Sequence, residues 1–354
     1  MKLVRAPSPK EARRPGWGLP KVTTTEGWTA DFGAQKLVFF DLDRNGSIDG
    51  DGRDGIGLEN GVFVVAFKNP ILLAKGQGEL KVDVPAATAT FSAVDLGQSP
   101  AFVSQAAHVN DVRLRAGLPM VVVDRDRSEA CIKHCDFLKT NGLEAAWRGG
   151  MVHFENKKLP GYTQDGERAG WGSAIHTSQT DYRNAIDDWA QTVWHSLAMI
   201  DPRLERFGAA LRHGVAMFYA AIEAGPELSE PFVYPSEGSR DVPRLFAAGG
   251  EVPAPFADDP RAGSGSGHPI IVLLPPAWRD SRIKSFTVTD EREKAVEGRI
   301  ASPSAPGNPK KAPRNSGCAF FLPTKALSPN RTFAVRFEVE GRPALSWRFS
   351  TASK

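Results

Sequence analysis

What most constrains this chain is a hydrophobic period that changes twice along its length. Between residues 27 and 98, short apolar runs at 37–40 and 62–67 stand beside alternating stretches at 80–84 and 89–94, with Gly and Asn between them. That is the pattern of strands and tight turns. From 103 to 197 the apolar residues fall at helical spacing instead. Helices are expected at 103–114, from Asp126 or Ser128 to Lys139, and over 181–197, where Ile186, Trp189, Val193, Trp194 and Leu197 share a face. Gly117 and Pro119 end the first, and Asn141 with Gly142 the second. Strands are expected at 207–211 and 214–222, then at 270–274, 283–289, 318–322, 332–339 and 345–349.

This order predicts an α+β multidomain chain. A central helix-bearing domain (101–225) is flanked by an amino-terminal β-rich domain (27–100) and a carboxyl-terminal β-sandwich (269–354). The 354 residues suit two or three domains. Residues 1–26 are basic and Pro-rich and read as a disordered leader. Residues 226–268 read as a Pro/Gly-rich connector that ends in the flexible run Gly263 to Gly267. With 34 Gly and 27 Pro, the chain has many turns without the composition of a disordered protein. The net charge of +3 gives no argument for a nucleic-acid partner. No apolar run approaches the ~18–20 residues that span a bilayer. The start, Met1 to Pro7, has no apolar core of a signal peptide. Cys131, Cys135 and Cys318 make no disulfide framework; all three are expected as buried, reduced thiols.

One segment has the spacing of a calcium loop. Asp41, Asp43 and Asn45 supply oxygens at positions 1, 3 and 5, Gly46 makes the sharp turn, and Ser47, Asp49 and Asp51 follow. Calcium takes about six to eight hard oxygens, and this spacing gathers them from one short turn. Gly52 stands where a bidentate Glu belongs, so Asp51 or Asp54 is expected to substitute. The flanks read as strands rather than the helices of an EF-hand. The alternative is an Asx-rich turn that holds no ion.

Two histidines stand out, His153 in Met151-Val152-His153-Phe154-Glu155 and His195 in Trp194-His195-Ser196. His153 and Glu155 are expected on one face of an extended segment. His134 is expected as a hydrogen-bonded core residue, and His176, His213 and His268 as surface residues. Trp147, Trp171, Trp189 and Trp194 are expected in the core and the wall of a cleft.

Residues 104–223 resemble a CAP domain, of the cysteine-rich secretory, antigen 5 and pathogenesis-related superfamily, in a bacterial form. Asn110, Arg113 and Ala116-Gly117-Leu118-Pro119 resemble its "LNxxRxxxGLPP" helix. Ser128, Cys131, His134 and Phe137-Leu138 resemble the next helix. His153-Phe154-Glu155 with Pro160-Gly161-Tyr162-Thr163 resembles its "HxE…PGxT" stretch, and Trp189, His195 and Gly208 the helix and strand beyond. The resemblance implies an α-β-α sandwich with a cleft in which the family groups two His and two Glu, a set that in some members holds a divalent metal. His153 and His195 match the histidines. The carboxylates do not carry over: Ser173 stands for one, and the other falls near Thr192. Only Glu155 remains to restore one. The tail from Leu327 to Val335, with Trp347 to Thr351, resembles an immunoglobulin-like domain.

The expected function is that of an exported bacterial binding module, extracellular or periplasmic. Its cleft around His153 and His195 would take a small-molecule, lipid or glycan ligand, and calcium would stiffen the first domain. The alternative is a hydrolase that uses zinc or another divalent metal in the same cleft, with His153, His195 and Glu155 as its candidate catalytic residues.

Overall fold

The computed structural model describes residues 4–6, 27–32, 35–143, 152–220, 227–246, 251, 254–256, 265–301 and 317–353. It is a mixed α/β chain with several sheets and few helices.

The amino-terminal part is β throughout. β1 (Val4–Ala6), β2 (Gly27–Asp31), β3 (Lys36–Phe40), β5 (Asp51–Leu58) and β6 (Val65–Lys68) form one sheet in that order. β4 (Ser47–Ile48), β8 (Gly76–Asp83) and β7 (Ile71–Leu73) form another, with β9 (Thr88–Val94) on the free side of β8. β8 follows its alternation: Leu80 and Val82 are buried, while Glu79, Lys81 and Asp83 are exposed. Those two join Leu37, Phe39, Ile56 and Phe67 in a core shared by both sheets. Two features depart from expectation. The leader holds a strand, β1, which pairs antiparallel with β2. The end of the Asp-rich loop runs directly into β5, whose glycines conceal the strand pattern. They are there for close approach: a Cβ on Gly57 would meet the Phe63 carbonyl oxygen at 2.5 Å.

In the central part, β10 (Val122–Val123), β12 (Arg206–Arg212), β13 (Val215–Tyr219) and β11 (Ser173–His176) form one sheet. Helices cover both faces. On β13, Val215, Met217 and Tyr219 pack with Cys131, Phe137 and Ala169 of α3 (Arg125–Asn141) and α4 (Gln164–Gly172). Ala216 and Phe218 point the other way, to Val103 of α1 (Pro100–Ala106), Val109 of α2 (His108–Arg115) and Trp189 of α5 (Tyr182–Ala190). Period two on one strand thus serves two layers of helix. The cysteines are free and buried, as expected. Burial raises the Cys135 and Cys318 thiols to about 12. Instead of one helix over 181–197 there are two, because α6 (Trp194–Met199) starts anew after α5.

The carboxyl-terminal part has two sheets, β14 (Phe232–Tyr234), β15 (Ile270–Leu273), β18 (Cys318–Pro323) and β17 (Gly298–Ala301) in one, and β16 (Ile283–Asp290), β19 (Thr332–Val339) and β20 (Leu345–Ser350) in the other. A short helix, α7 (Pro276–Arg279), follows β15. Ile270, Val272 and Phe321 pack with Phe286, Phe337 and Trp347 between the sheets. Ile271, Leu273 and Phe320 turn to the opposite side, against Val193, Leu197 and Ile200 of the central part. Both faces of β15 and β18 are buried, which explains their unbroken apolar runs.

The connector is not a flexible spacer where it is described. β14 lies within it and extends the sheet, Leu228, Phe246 and Phe256 join the core beneath α6, and Val242 bridges to Thr351. His268, expected at the surface, is fully buried. Among the described residues no helix is long and apolar enough to cross a membrane.

Candidate functional site

Thr163 caps α4, accepting the Gly166 amide at 3.0 Å. The helix then lies close on what is beneath it through two glycines. A Cβ on Gly166 would meet Glu155 Oε1 at 2.2 Å, and one on Gly170 would meet His134 Cε1 at 2.5 Å. Under that face His134 and Glu155 form a buried pair, Nδ1 to Oε1 at 3.0 Å. His134 Nε2 donates to the Val152 carbonyl at 2.8 Å, and Glu155 Oε2 accepts the Thr163 amide at 2.9 Å. His134 is the core residue expected of it. Glu155 is not what the sequence suggested, since both of its oxygens are engaged in the interior and neither is presented to a cleft. The cause is local. Residues 152–153 form a turn rather than a strand, so His153 and Glu155 part company.

His153 instead turns its Nδ1 to the Gly170 carbonyl, at 2.8 Å. Next to each of these residues is an aromatic. Phe154 meets Trp171 edge-on, with ring centroids 4.2 Å apart, and Trp171 is 48% exposed. Trp189 lies in the core, Trp194 packs edge-on against Phe320, and Trp147 lies outside the described residues.

His195 belongs to a second group. Glu251, from the connector, is buried, and its carboxylate accepts the backbone amides of Val193, Trp194 and His195. The same carboxylate lies 3.1 Å from His195 Nδ1. These are the amides that a continuous helix would have bonded to its own preceding carbonyls. Glu251 therefore breaks the helix at 191–193, starts α6, and fixes the His195 ring. Thr192 Oγ1 is 3.3 Å from the same nitrogen. His176 lies near enough to His195 for their charges to interact, and its Nε2 is 3.4 Å from Asp188 Oδ2. Burial, first, and the neighbouring His195 hold the His176 pKa below its ordinary value, against the pull of Asp188. Ser173 points inward, donating to the Ala169 carbonyl at 2.6 Å.

Sequence reasoning missed Glu251, His176 and Asp188. Glu251 is 56 positions from His195 and sits among Gly and Pro, so no local pattern announces it. Among the described residues, neither His153 nor His195 belongs to a group of three or more clustered metal-ligating side chains. A tetrahedral zinc takes three or four protein ligands, more than either histidine gathers among the described residues.

The Asp-rich loop is built as a turn on a firm frame. Asp41 accepts the Asn45 and Gly46 amides at 3.1 and 2.9 Å, Asp43 accepts the Asn45 amide at 3.2 Å, and Asn45 Oδ1 accepts the Ser47 amide at 2.7 Å. Asp49 accepts the Asp51 amide at 3.3 Å. Asn69 fastens the loop, donating to the Asp49 and Leu80 carbonyls at 2.7 and 2.9 Å. Gly50 has φ +80°, and a Cβ there would meet Asn69 Nδ2 at 2.4 Å, so only glycine fits. Asp54 lies beneath, and burial raises its carboxyl pKa to about 6.

No curated protein matches the chain. Among solved structures, an extracellular protein containing an SCP domain from Bacillus anthracis str. Ames is 13% identical over 55% of this chain and 66% of its own, with a TM-score of 0.23. A DUF4426 family protein from Pseudomonas aeruginosa PAO1 is 17% identical over 25% of this chain and 76% of its own, with a TM-score of 0.17. Residues 106–214 match the family model described as CAP, the cysteine-rich secretory protein family. Residues 106–214, which hold β10, β11 and β12 of the helix-covered central sheet together with His153 and His195, are thus the CAP domain of this chain.

Proposed function

We propose that the chain is an exported binding protein whose CAP domain contacts an apolar or glycan-like ligand through the surface around His153, Phe154 and Trp171. The observation that carries this reading is Trp171. An indole half open to solvent, held edge-on by Phe154 beside a histidine, is a rigid contact surface at little entropic cost. Lone exposed aromatics need no explanation, but this one is braced by a second ring and by the His153–Gly170 bond. Export is supported by the secretory character of the family that residues 106–214 match. The carboxyl-terminal sheets are read as an immunoglobulin-like spacer. The hydrolase alternative lacks such support, because Glu155, its expected base, is engaged in the interior.

The test is intrinsic tryptophan fluorescence of the full chain, titrated with soluble oligosaccharides, fatty acids and a sterol. At least one class should shift the emission and saturate. Trp171→Ala should weaken that binding at least tenfold, in line with the ~1–3 kcal/mol of a well-packed aromatic contact. Absence of binding across the panel, or binding untouched by Trp171→Ala, overturns the reading.

A further inference from the structure

Two groups of three carboxylates meet in the amino-terminal part, and both include Asp54. Asp41, Asp43 and Asp54 bring oxygens within 4.8 Å of one another, and so do Asp49, Asp51 and Asp54. An acidic cluster on a surface turn is common and by itself means nothing. The difference here is Asp54. It is 1% exposed, Oδ1 accepts the Leu42 amide at 3.1 Å, and buried Oδ2 has no hydrogen-bond partner among the described residues. A buried carboxylate oxygen without a partner is costly, and this one stands among four other carboxylates. Arg53 is the nearest compensation. It pairs with Asp51 and lies 3.4 Å from Asp43, spanning the two groups from the solvent side, while no ion pair reaches Asp54 among the described residues.

We propose that this loop binds a calcium ion, with Asp54 as the inner ligand common to both carboxylate groups. Asp54 then takes the part of the absent carboxylate at loop position 12, reaching the ion from β5 rather than from a following helix. A hard, multiply charged cation suits an all-oxygen donor set, and calcium accepts the larger and less regular coordination that a turn supplies. Magnesium demands a tighter octahedron and keeps more of its water. The frame is prepared for it: Asn69 and Gly50 fix the loop to β8 before any ion arrives. Arg53 competes for the outer carboxylates and must swing aside. Bound calcium would tie β3, β4 and β5 together, and so join the two sheets at this end. The site is independent of any ligand of the CAP domain.

Calorimetric titration of the full, chelator-stripped chain with calcium chloride tests this, with thermal melts beside it. Binding is expected with a Kd at or below about 10⁻³ M, the range of extracellular modules, together with a higher Tm in calcium than in magnesium. Asp54→Asn keeps the Leu42 hydrogen bond and should weaken binding at least about tenfold, since affinity follows ligand charge. Arg53→Ala should tighten it. If Asp54→Asn does not fold, exposed Asp43→Asn, which leaves the interior untouched, should show the weakening instead. No calcium binding by the native chain, or equal binding after Asp54→Asn in a folded protein, overturns the proposal.

Discussion

Several single residues here hold the chain together by reaching across it. Arg113 is fully buried and spends its guanidinium on backbone, donating to the carbonyls of Pro119, Met199, Asp201 and Leu204. Burial lowers its pKa to about 9, offset in part by Asp201. The family motif marked Arg113, but the motif does not reveal that three of its four partners lie near residue 200. His268 is the opposite case. It is wholly enclosed with its ring 5.5 Å from that of Tyr234, and neither nitrogen finds a partner among the described residues. Burial depresses its pKa to about 3. The fold therefore accepts the neutral ring. Its contribution is intact above the ordinary histidine pKa of about 6.5 and is lost as pH falls from there toward 3, where the unfolded chain takes up the proton. His268→Phe should match or exceed the native stability at pH 7. It should outlast the native chain by a few kcal/mol at pH 4, at about 1.4 kcal/mol per pH unit of separation. Urea unfolding at both values checks this, and a difference that does not change with pH refutes it. Nothing around His268 in sequence separates it from an exposed histidine.

At the scale of elements, the periods that alternate or repeat at 3.6 place most strands and helices, because each is set by its own buried face. What they do not place is set from afar. The apolar spacing of 181–197 runs on as one helix, and only a carboxylate from residue 251 interrupts it. Likewise β5 carries Gly55 and Gly57 where a strand would show larger side chains, since close packing against Phe63 and Val64 requires it. Glu251→Ala should cost about 3 kcal/mol, because three backbone amides, one of them buried, lose one charged acceptor. Hydrogen exchange should then quicken at Val193, Trp194 and His195. Glu251→Gln keeps a neutral acceptor and should lose about half as much. Unchanged exchange in the alanine variant would mean that the helix restarts for some other reason.

Across the whole molecule, buried amides join the first part to the second. Gln77 exchanges two hydrogen bonds with Val123, its Nε2 to the carbonyl at 2.9 Å and its Oε1 from the amide at 2.6 Å. Asn110, tied in the same way to Val121 of its own part, also donates to the Leu72 carbonyl of the first at 3.2 Å, and Gln35 reaches Asp111 and Ala107. The sequence shows where each part lies because each has its own period. It does not show these joints, since a lone amide in a strand or loop reads as surface. Gln77→Ala leaves a buried amide and carbonyl unpaired and should cost about 2–4 kcal/mol. Scanning calorimetry should then resolve the first part melting ahead of the rest, and a single unshifted transition would count against the joint. At the other end, the strap that leads to Glu251 lies along β20. The Gly238 amide donates to the Arg348 carbonyl, the Ser350 amide to Ser239, and the Ala352 amide to Val242. A chain is made from its amino end, so 238–242 waits for its partners until residue 352 has left the ribosome. The CAP domain precedes that point in the chain, and the segment that leads to Glu251 gains its β20 partners only after it. A nascent chain stalled short of β20 would carry residues 238–242 without those partners.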